Sequence, residues 1–293
     1  MKKPFHIPLN ISNCGNYALI PGDPDRVKNI FEFLCNNLGA TPLDIDLKPE
    51  VRSREFFARN IKILGETVTI MSTGIGGPST AIAIEELMQL GVHTFIRVGT
   101  TGAIQPQIQE KSIIISLGAV RYEGTSSHFV PIAYPAYSNP IVYLSLLSAA
   151  SKLQNRKQVQ VYSGTTVCSD TFYQGQSRTE TFIPTIPNNL LNLHDWQKIG
   201  VLNYDMESSV VLTLSSISGA RAGVITGVLV NCERSEYPNI ETIREAEENA
   251  IEVACNAVMQ LIKWDHSKEI QINLPNFWDP DKIQNRIKKN LQI

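Results

Sequence analysis

What most narrows the fold of this chain is an alternation: a short apolar run ends in a glycine-bearing turn, and a helix-like segment follows. Tyr17-Ala18-Leu19-Ile20 runs into Pro21-Gly22, and Val68-Thr69-Ile70-Met71 into Thr73-Gly74-Ile75-Gly76-Gly77. Phe95-Ile96-Arg97-Val98 runs into Gly99-Thr100-Thr101-Gly102, and Ile113 to Ile115 and Val224 to Val230 add two further apolar runs. The runs are continuous in Val, Ile and Leu, which predicts strands covered on both faces. Between them, Ser79-Thr80 opens an apolar helix closed by Gly91, and Asn203 to Ser218 reads as a second helix. Glu241 to Trp264 reads as a third, with Ile243, Ala246, Ala250, Val253, Ala257 and Leu261 on one stripe. Strand, glycine turn and helix in that order predict an α/β fold, which binds ligands at the carboxyl ends of its strands.

No linker, repeat or low-complexity stretch divides residues 1–265, so they are expected to form one α/β domain. From His266 to Ile293 the composition turns polar, and Ile283, Ile287 and Leu291 recur at four-residue spacing. Two readings stand for this C-terminal extension: a short amphipathic helix docked on the core or on a partner subunit, or a solvated tail. A formal charge of −2 excludes an electrostatically driven nucleic-acid binder and a polybasic membrane anchor. The five cysteines are scattered, with no CxxC pair, as expected for reduced thiols inside a cell. Met1 to His6 is not followed by an apolar run, and Val210 to Asn231 is interrupted by Ser215-Ser216, Ser218-Gly219 and Arg221. A soluble, cytoplasmic protein is therefore expected.

Four clusters carry chemistry. In Gly22-Asp23-Pro24-Asp25-Arg26, Asp23 is a natural N-cap and Pro24 a natural first helical residue, placing Arg26 in the first turn. This is either a well-capped helix with a solvent-facing arginine or an anion site at a helix N-terminus. Arg97 lies inside an apolar run, where a charge needs a partner. That partner is a buried carboxylate or a bound anion; the adjacent hydroxyls and glycines favour the anion, and the arginine fork suits phosphate. No Gly-Lys-Ser/Thr occurs, so the site is not a Walker loop. In the third cluster, Ser169 to Arg178, Gln176 and Arg178 offer polar contacts to a planar heterocycle and Phe172 a ring to stack on it; polar loops of this composition are also common. In the fourth, Asn203 to Ser209, Met206 and Glu207 sit at a helix start, where the carboxylate either serves the helix dipole or accepts from sugar hydroxyls.

Taken together, the segments Gly-Asp-Pro-Asp-Arg (22–26), Ser-Thr-Gly-Ile-Gly-Gly-Pro-Ser (72–79), Arg-Val-Gly-Thr-Thr-Gly-Ala-Ile-Gln (97–105), Phe-Tyr-x-Gly-Gln-x-Arg (172–178) and Asp-Met-Glu-Ser (205–208) resemble the uridine phosphorylases. These are the pyrimidine-specific branch of the nucleoside phosphorylase family. The resemblance covers about residues 5–264 and implies a single-domain nucleoside phosphorylase-like fold, a central mixed twisted β-sheet flanked by helices. It implies a pentosyltransferase of pyrimidine salvage that converts uridine and phosphate reversibly to uracil and ribose 1-phosphate. Gly22, Arg26, Arg97 and Thr100 would hold phosphate, with Arg54 reaching from a neighbouring subunit. Met206 and Glu207 would hold ribose, with the neighbour's His6 near the 5′-hydroxyl, and Gln176, Arg178 and Phe172 would hold uracil. The catalytic set would be Arg97, Thr100, Gln176, Arg178 and Glu207. No cofactor beyond phosphate as co-substrate is implied; Glu55, Ile75 and Ser79 match a monovalent-cation (K+) site between paired subunits. The implied assembly is a homo-oligomer, a dimer or a hexamer of dimers with active sites shared between two subunits, and no nucleic-acid or membrane partner.

Two positions depart from that pattern. Cys232 stands where relatives carry an arginine after Val-Asn, with Arg234 two residues on as a candidate substitute, and Asp205 stands for a glutamate. Two other readings follow: a purine nucleoside phosphorylase or nucleosidase, or a nucleoside-binding paralogue with little turnover. Gln176, Arg178 and the lack of an Asp after Val228-Leu229-Val230-Asn231 argue against the purine reading.

Overall fold

A computed structural model describes residues 4–10, 14–43, 51–178, 182–183, 191–234 and 237–267. The strands are β1 Tyr17–Pro21, β2 Thr41–Pro42, β3 Val51–Ser53, β4 Phe56–Ile63, β5 Glu66–Met71, β6 Thr94–Ala103, β7 Ile113–Tyr122, β8 Ala136–Tyr137, β9 Val161–Ser169, β10 Asn203–Asp205 and β11 Arg221–Asn231. The helices are α1 Pro24–Leu38, α2 Gly77–Gln89, α3 Pro140–Lys157, α4 Leu193–Lys198, α5 Ser208–Ser218 and α6 Ile240–Ser267. The strands form one mixed sheet in the order β10-β9-β7-β11-β6-β1-β5-β4-β2. β6 runs parallel to β1 and β11, whereas β7 runs antiparallel to β11 and β4 antiparallel to β5.

Alternation along the strands divides the core into two layers. Tyr17 and Leu19 of β1 face the side carrying α1, α3 and α6, where Val27, Ile30, Ala150, Val253 and Val258 are buried. Ala18 and Ile20 face α2 and α5, against Ile84, Leu87, Val210 and Val211. Both faces of the central strands are covered, as the continuous apolar runs predict.

One end of the sheet closes on itself, because β10 pairs with β9 on one side and antiparallel with β6 on the other. The ring β6-β11-β7-β9-β10 places one polar side chain from each strand at a common level. Asn203 donates to Thr101 Oγ1 at 2.8 Å and to Thr226 Oγ1 at 3.5 Å, and accepts from Thr166 Oγ1 at 2.9 Å. Thr166 in turn meets Ser116 Oγ at 2.6 Å. These buried groups satisfy one another, as a closed polar network must.

The structure revises several boundaries. Asn203 to Asp205 form a strand, and the helix predicted from Asn203 begins at Ser208, because pairing on both sides captures the three residues. β6 continues through Gly99-Thr100-Thr101-Gly102, read in the sequence as a turn, since β11 pairs with it throughout. α2 starts at Gly77, two residues before Ser79, and α6 extends to Ser267. The strands β4 and β9 and the helix α3 carry no signal among those quoted above. The amphipathic repeat at Ile283, Ile287 and Leu291 lies outside the described residues. Among the described residues no helix is long and apolar enough to cross a membrane.

Candidate active site

A cavity of about 670 Å³ opens where β1, β5, β6 and β11 end, lined there by Gly22, Gly74, Thr100 and Val230. It is the position at which an open α/β sheet offers a ligand crevice. Gly22, Arg26, Arg97, Thr100, Phe172, Gln176, Arg178, Met206 and Glu207 all line it, so nine sequence-predicted residues converge on one space. Glu55 and Ile75 line it as well.

The Arg26 end follows from local rules. Asp23 caps α1 by accepting from the Asp25 N–H at 2.9 Å, and Pro24 occupies the first turn. Arg26 does not face solvent: it is buried, and its Nη1 donates to the Val98 carbonyl at 3.1 Å. Its Nη2 pairs with Glu247 Oε1 at 2.5 Å.

Arg97 is also buried, and its partners are carboxylates. Its Nε donates to Asp205 Oδ2 at 2.9 Å, and its Nη2 pairs with Glu207 Oε2. Of the two partners the sequence allowed for Arg97, the structure contains the buried carboxylate, twice. Asp205 also receives the Ser208 N–H at the start of α5, while Glu207 Oε1 accepts from the Gly76 N–H at 2.6 Å. Burial opposes the charge on Arg97, but Glu207 and Asp205 outweigh it and hold the guanidinium above its ordinary pKa. Burial raises the pKa of Glu207; Arg97 pulls it down and Asp205 pushes it further up. Arg97, Asp205 and Glu207 therefore form a desolvated charge cluster whose three members depend on one another.

At the other end the loop 171–178 braces itself. Gly175 N–H donates to Thr171 Oγ1 at 2.8 Å, and Arg178 N–H to the Tyr173 carbonyl at 2.8 Å. The Arg178 guanidinium lies 4.5 Å above the Phe172 ring, a cation–π contact, so Phe172 carries Arg178 on one face. Gln176 is buried. A Cβ on Gly102 would sit 2.6 Å from Cys232 Sγ and 3.3 Å from Arg178 Nη2, which places both side chains against the bare backbone of β6. Arg234 is not a substitute at this end: it does not line the cavity, and its Nη2 donates to the Pro106 carbonyl.

Three predicted residues lie off the cavity wall of the single chain. Arg54 sits between β3 and β4 with a left-handed φ of 56°. His6 pairs through Nδ1 with Glu86 at 2.7 Å, and Glu86 also collects the N–H groups of His6 and Ile7. Ser79 donates to the Ile75 carbonyl at 3.2 Å. Ser79 and Glu55 both crowd Gly74: a Cβ there would lie 2.8 Å from Glu55 Cγ and 3.2 Å from Ser79 Oγ. The residues 55, 75 and 79 are thus brought together.

Tyr204, Leu229, Pro238 and Gly74 also line the wall, and sequence reasoning gave none of them a site role. It also passed over Glu247, a carboxylate on α6 separated from Arg26 by 221 positions, for which the chain holds no local signal.

The chain matches the model of the phosphorylase superfamily over residues 16–263. It is 42% identical over 263 residues to the uridine phosphorylase of Haemophilus influenzae, covering 88% of this chain and 98% of that protein. Against the uridine phosphorylase of Escherichia coli K12 it is 39% identical over 261 residues, with 88% and 98% covered. It is also 32% identical over 270 residues to the guanosine phosphorylase of Halorubrum lacusprofundi, with 89% of this chain and the whole of that protein covered.

Proposed function

Because the chain belongs to the phosphorylase superfamily, we propose a reading of its cavity in which each end of a nucleoside phosphorolysis has its own residues. The protein is an enzyme, a pentosyltransferase that cleaves uridine with phosphate to uracil and ribose 1-phosphate, reversibly. The observation that supports the assignment of roles is the convergence on one cavity at the strand ends of nine residues drawn from separate segments of the chain.

Phosphate is bound by Gly22, Arg26, Arg97 and Thr100, the ribose by Met206 and Glu207, and uracil by Phe172, Gln176 and Arg178. Phosphate attacks C1′ on the face opposite the base, the C1′–N1 bond breaks, and its electron pair leaves with uracil. The sugar gains positive charge and the base negative charge. Arg178 donates hydrogen bonds toward the departing base, and the Gln176 amide orients it. Holding two reactants in line supplies the remainder, with no protein nucleophile. Glu207, tied to Arg97 and the Gly76 N–H, is placed to accept from ribose hydroxyls while Arg97 carries the compensating charge.

Arg54 and His6 complete the site from a neighbouring subunit, which makes a dimer the smallest active unit, alone or within a hexamer. The partner-facing positions Glu55, Ile75 and Ser79 supply a carboxylate, a backbone carbonyl and a hydroxyl, hard oxygen donors suited to a monovalent cation such as K+. The enzyme works in the cytoplasm. Residues 1–265 are the catalytic domain and residues 266–293 an appended segment. Turnover of uridine, deoxyuridine, thymidine and guanosine in phosphate buffer tests the base assignment. Pyrimidine ribonucleoside cleavage with no guanosine cleavage is expected, and guanosine as the better substrate would overturn the reading of Gln176 and Arg178.

A further inference from the structure

Arg26 is held from outside the cavity it lines. Its side chain is 6% exposed, and its Nε has no hydrogen-bond partner among the described residues. Nη1 is fixed by the Val98 carbonyl of β6 and Nη2 by Glu247 of α6. Glu247 itself is absent from the cavity wall; it faces a groove on the far side, beside Asn29, Arg156 and Arg244. It reaches Arg26 because α6 lies close against β11 at Gly227. A Cβ on Gly227 would meet the Ala246 carbonyl oxygen at 2.2 Å and its carbon at 2.7 Å, so that approach is open only to glycine. Gly227 is the β11 partner of Thr100, and Ala246 immediately precedes Glu247. The close approach of helix to sheet and the carboxylate clamp are thus one piece of construction.

We infer that Glu247 is a positioning residue for the phosphate arginine: it fixes the Arg26 guanidinium in the orientation that binds phosphate, without touching substrate. The inference rests on the placement of phosphate at Arg26. An arginine side chain is long and rotamer-rich, and a carboxylate on Nη2 together with the Val98 carbonyl on Nη1 removes that freedom before the ligand arrives. Two effects of the Glu247 charge oppose each other. As a bare negative charge near the site it weakens phosphate binding, so its removal would lower the KM for phosphate. As a clamp it strengthens binding, so its removal raises that KM. Because the guanidinium is buried and anchored at both Nη1 and Nη2, the clamp is the larger effect.

The test uses the full-length enzyme with phosphate varied at saturating uridine, then the reverse, for E247Q, E247A and R26A. E247A is expected to raise the phosphate KM by about tenfold to a hundredfold, the size of one charge-assisted hydrogen bond in an equilibrium constant. The uridine KM stays within about twofold, a split that general loosening of the fold would not produce. E247Q keeps an acceptor at the same reach and recovers part of the loss; being isosteric, it carries the test should E247A melt below the assay temperature. On an R26A background, E247A adds little, because the two residues act as one unit. Phosphate KM unchanged or lowered in E247Q and E247A, with R26A raised, overturns the inference. A wild-type phosphate KM in R26A overturns instead the placement of phosphate at Arg26, and the inference with it.

Discussion

Replacing Arg97 with methionine removes the cation that two buried carboxylates share. Asp205 and Glu207 have side-chain exposures of 0% and 6%, so neither can turn to water when Arg97 is gone. Breaking a buried ion pair from one side costs about 3–5 kcal/mol, which in a domain of this size is a fall in Tm of about 10 °C. The cost depends on pH in a defined direction. Without Arg97, burial and Asp205 both push the pKa of Glu207 up, and only the backbone N–H groups of Gly76 and Met206 still pull it down. The folded variant then binds a proton that the unfolded chain releases, so its stability falls as pH rises above the ordinary carboxylate range. Wild type carries the same tendency in weaker form, because Arg97 opposes it. Scanning calorimetry of both proteins at pH 5, 6, 7 and 8 reads the effect: the gap in Tm should widen with pH, and R97M with E207Q should recover part of it. A gap that does not change with pH, or a Tm within about 2 °C of wild type at pH 8, would refute the coupled-cluster reasoning. The same variant should lose more than about tenfold in kcat/KM if Arg97 holds phosphate as proposed.

Two further outcomes follow from other parts of the molecule. R178A should lower kcat/KM for uridine by more than about tenfold with little change in phosphate KM, because Arg178 stands at the Phe172 end of the cavity; steady-state kinetics with each substrate varied separates the two. At the opposite end of the strands, burial and then Arg221 lower the pKa of His93 to about 4, below its ordinary 6.5. At this residue the unfolded chain therefore binds more protons across that interval, and the contribution of His93 to stability should fall by about 2 kcal/mol between pH 7 and pH 5. Urea unfolding at the two pH values should show this loss in wild type and a smaller one in H93N; equal losses would remove His93 as its source.

How much of this was legible in the chain follows from the range of the interactions concerned. The first strand, the cap at Asp23 and the turns at Gly22 and Gly74 are written in contiguous residues, and local geometry reproduces them, whereas Gly99 to Gly102 became strand because β11 pairs with it. Asn203 to Asp205 were misread as helix because their strand state is imposed by β6 and β9, partners distant in sequence. Arg97 announced itself as a charge in an apolar run, but nothing near it in sequence says that Asp205 and Glu207 face it across more than a hundred positions. Gly227 looks like any strand glycine until α6 lies on it, and Glu247 looks like any acidic residue of a surface helix. The roles at Arg178 and Gln176 came from the resemblance of motifs, since a polar loop of that composition specifies little by itself. Arg234 shows the reverse: a charge near the expected position in sequence points elsewhere in space.

The most direct measurement is release of uracil from uridine by the purified chain, followed by ultraviolet absorbance, with and without inorganic phosphate, and with the sugar product identified. Release that requires phosphate and yields ribose 1-phosphate is the predicted result. Release at the same rate without phosphate, yielding free ribose, would contradict it and make the arginine end of the cavity a site for something other than the attacking nucleophile.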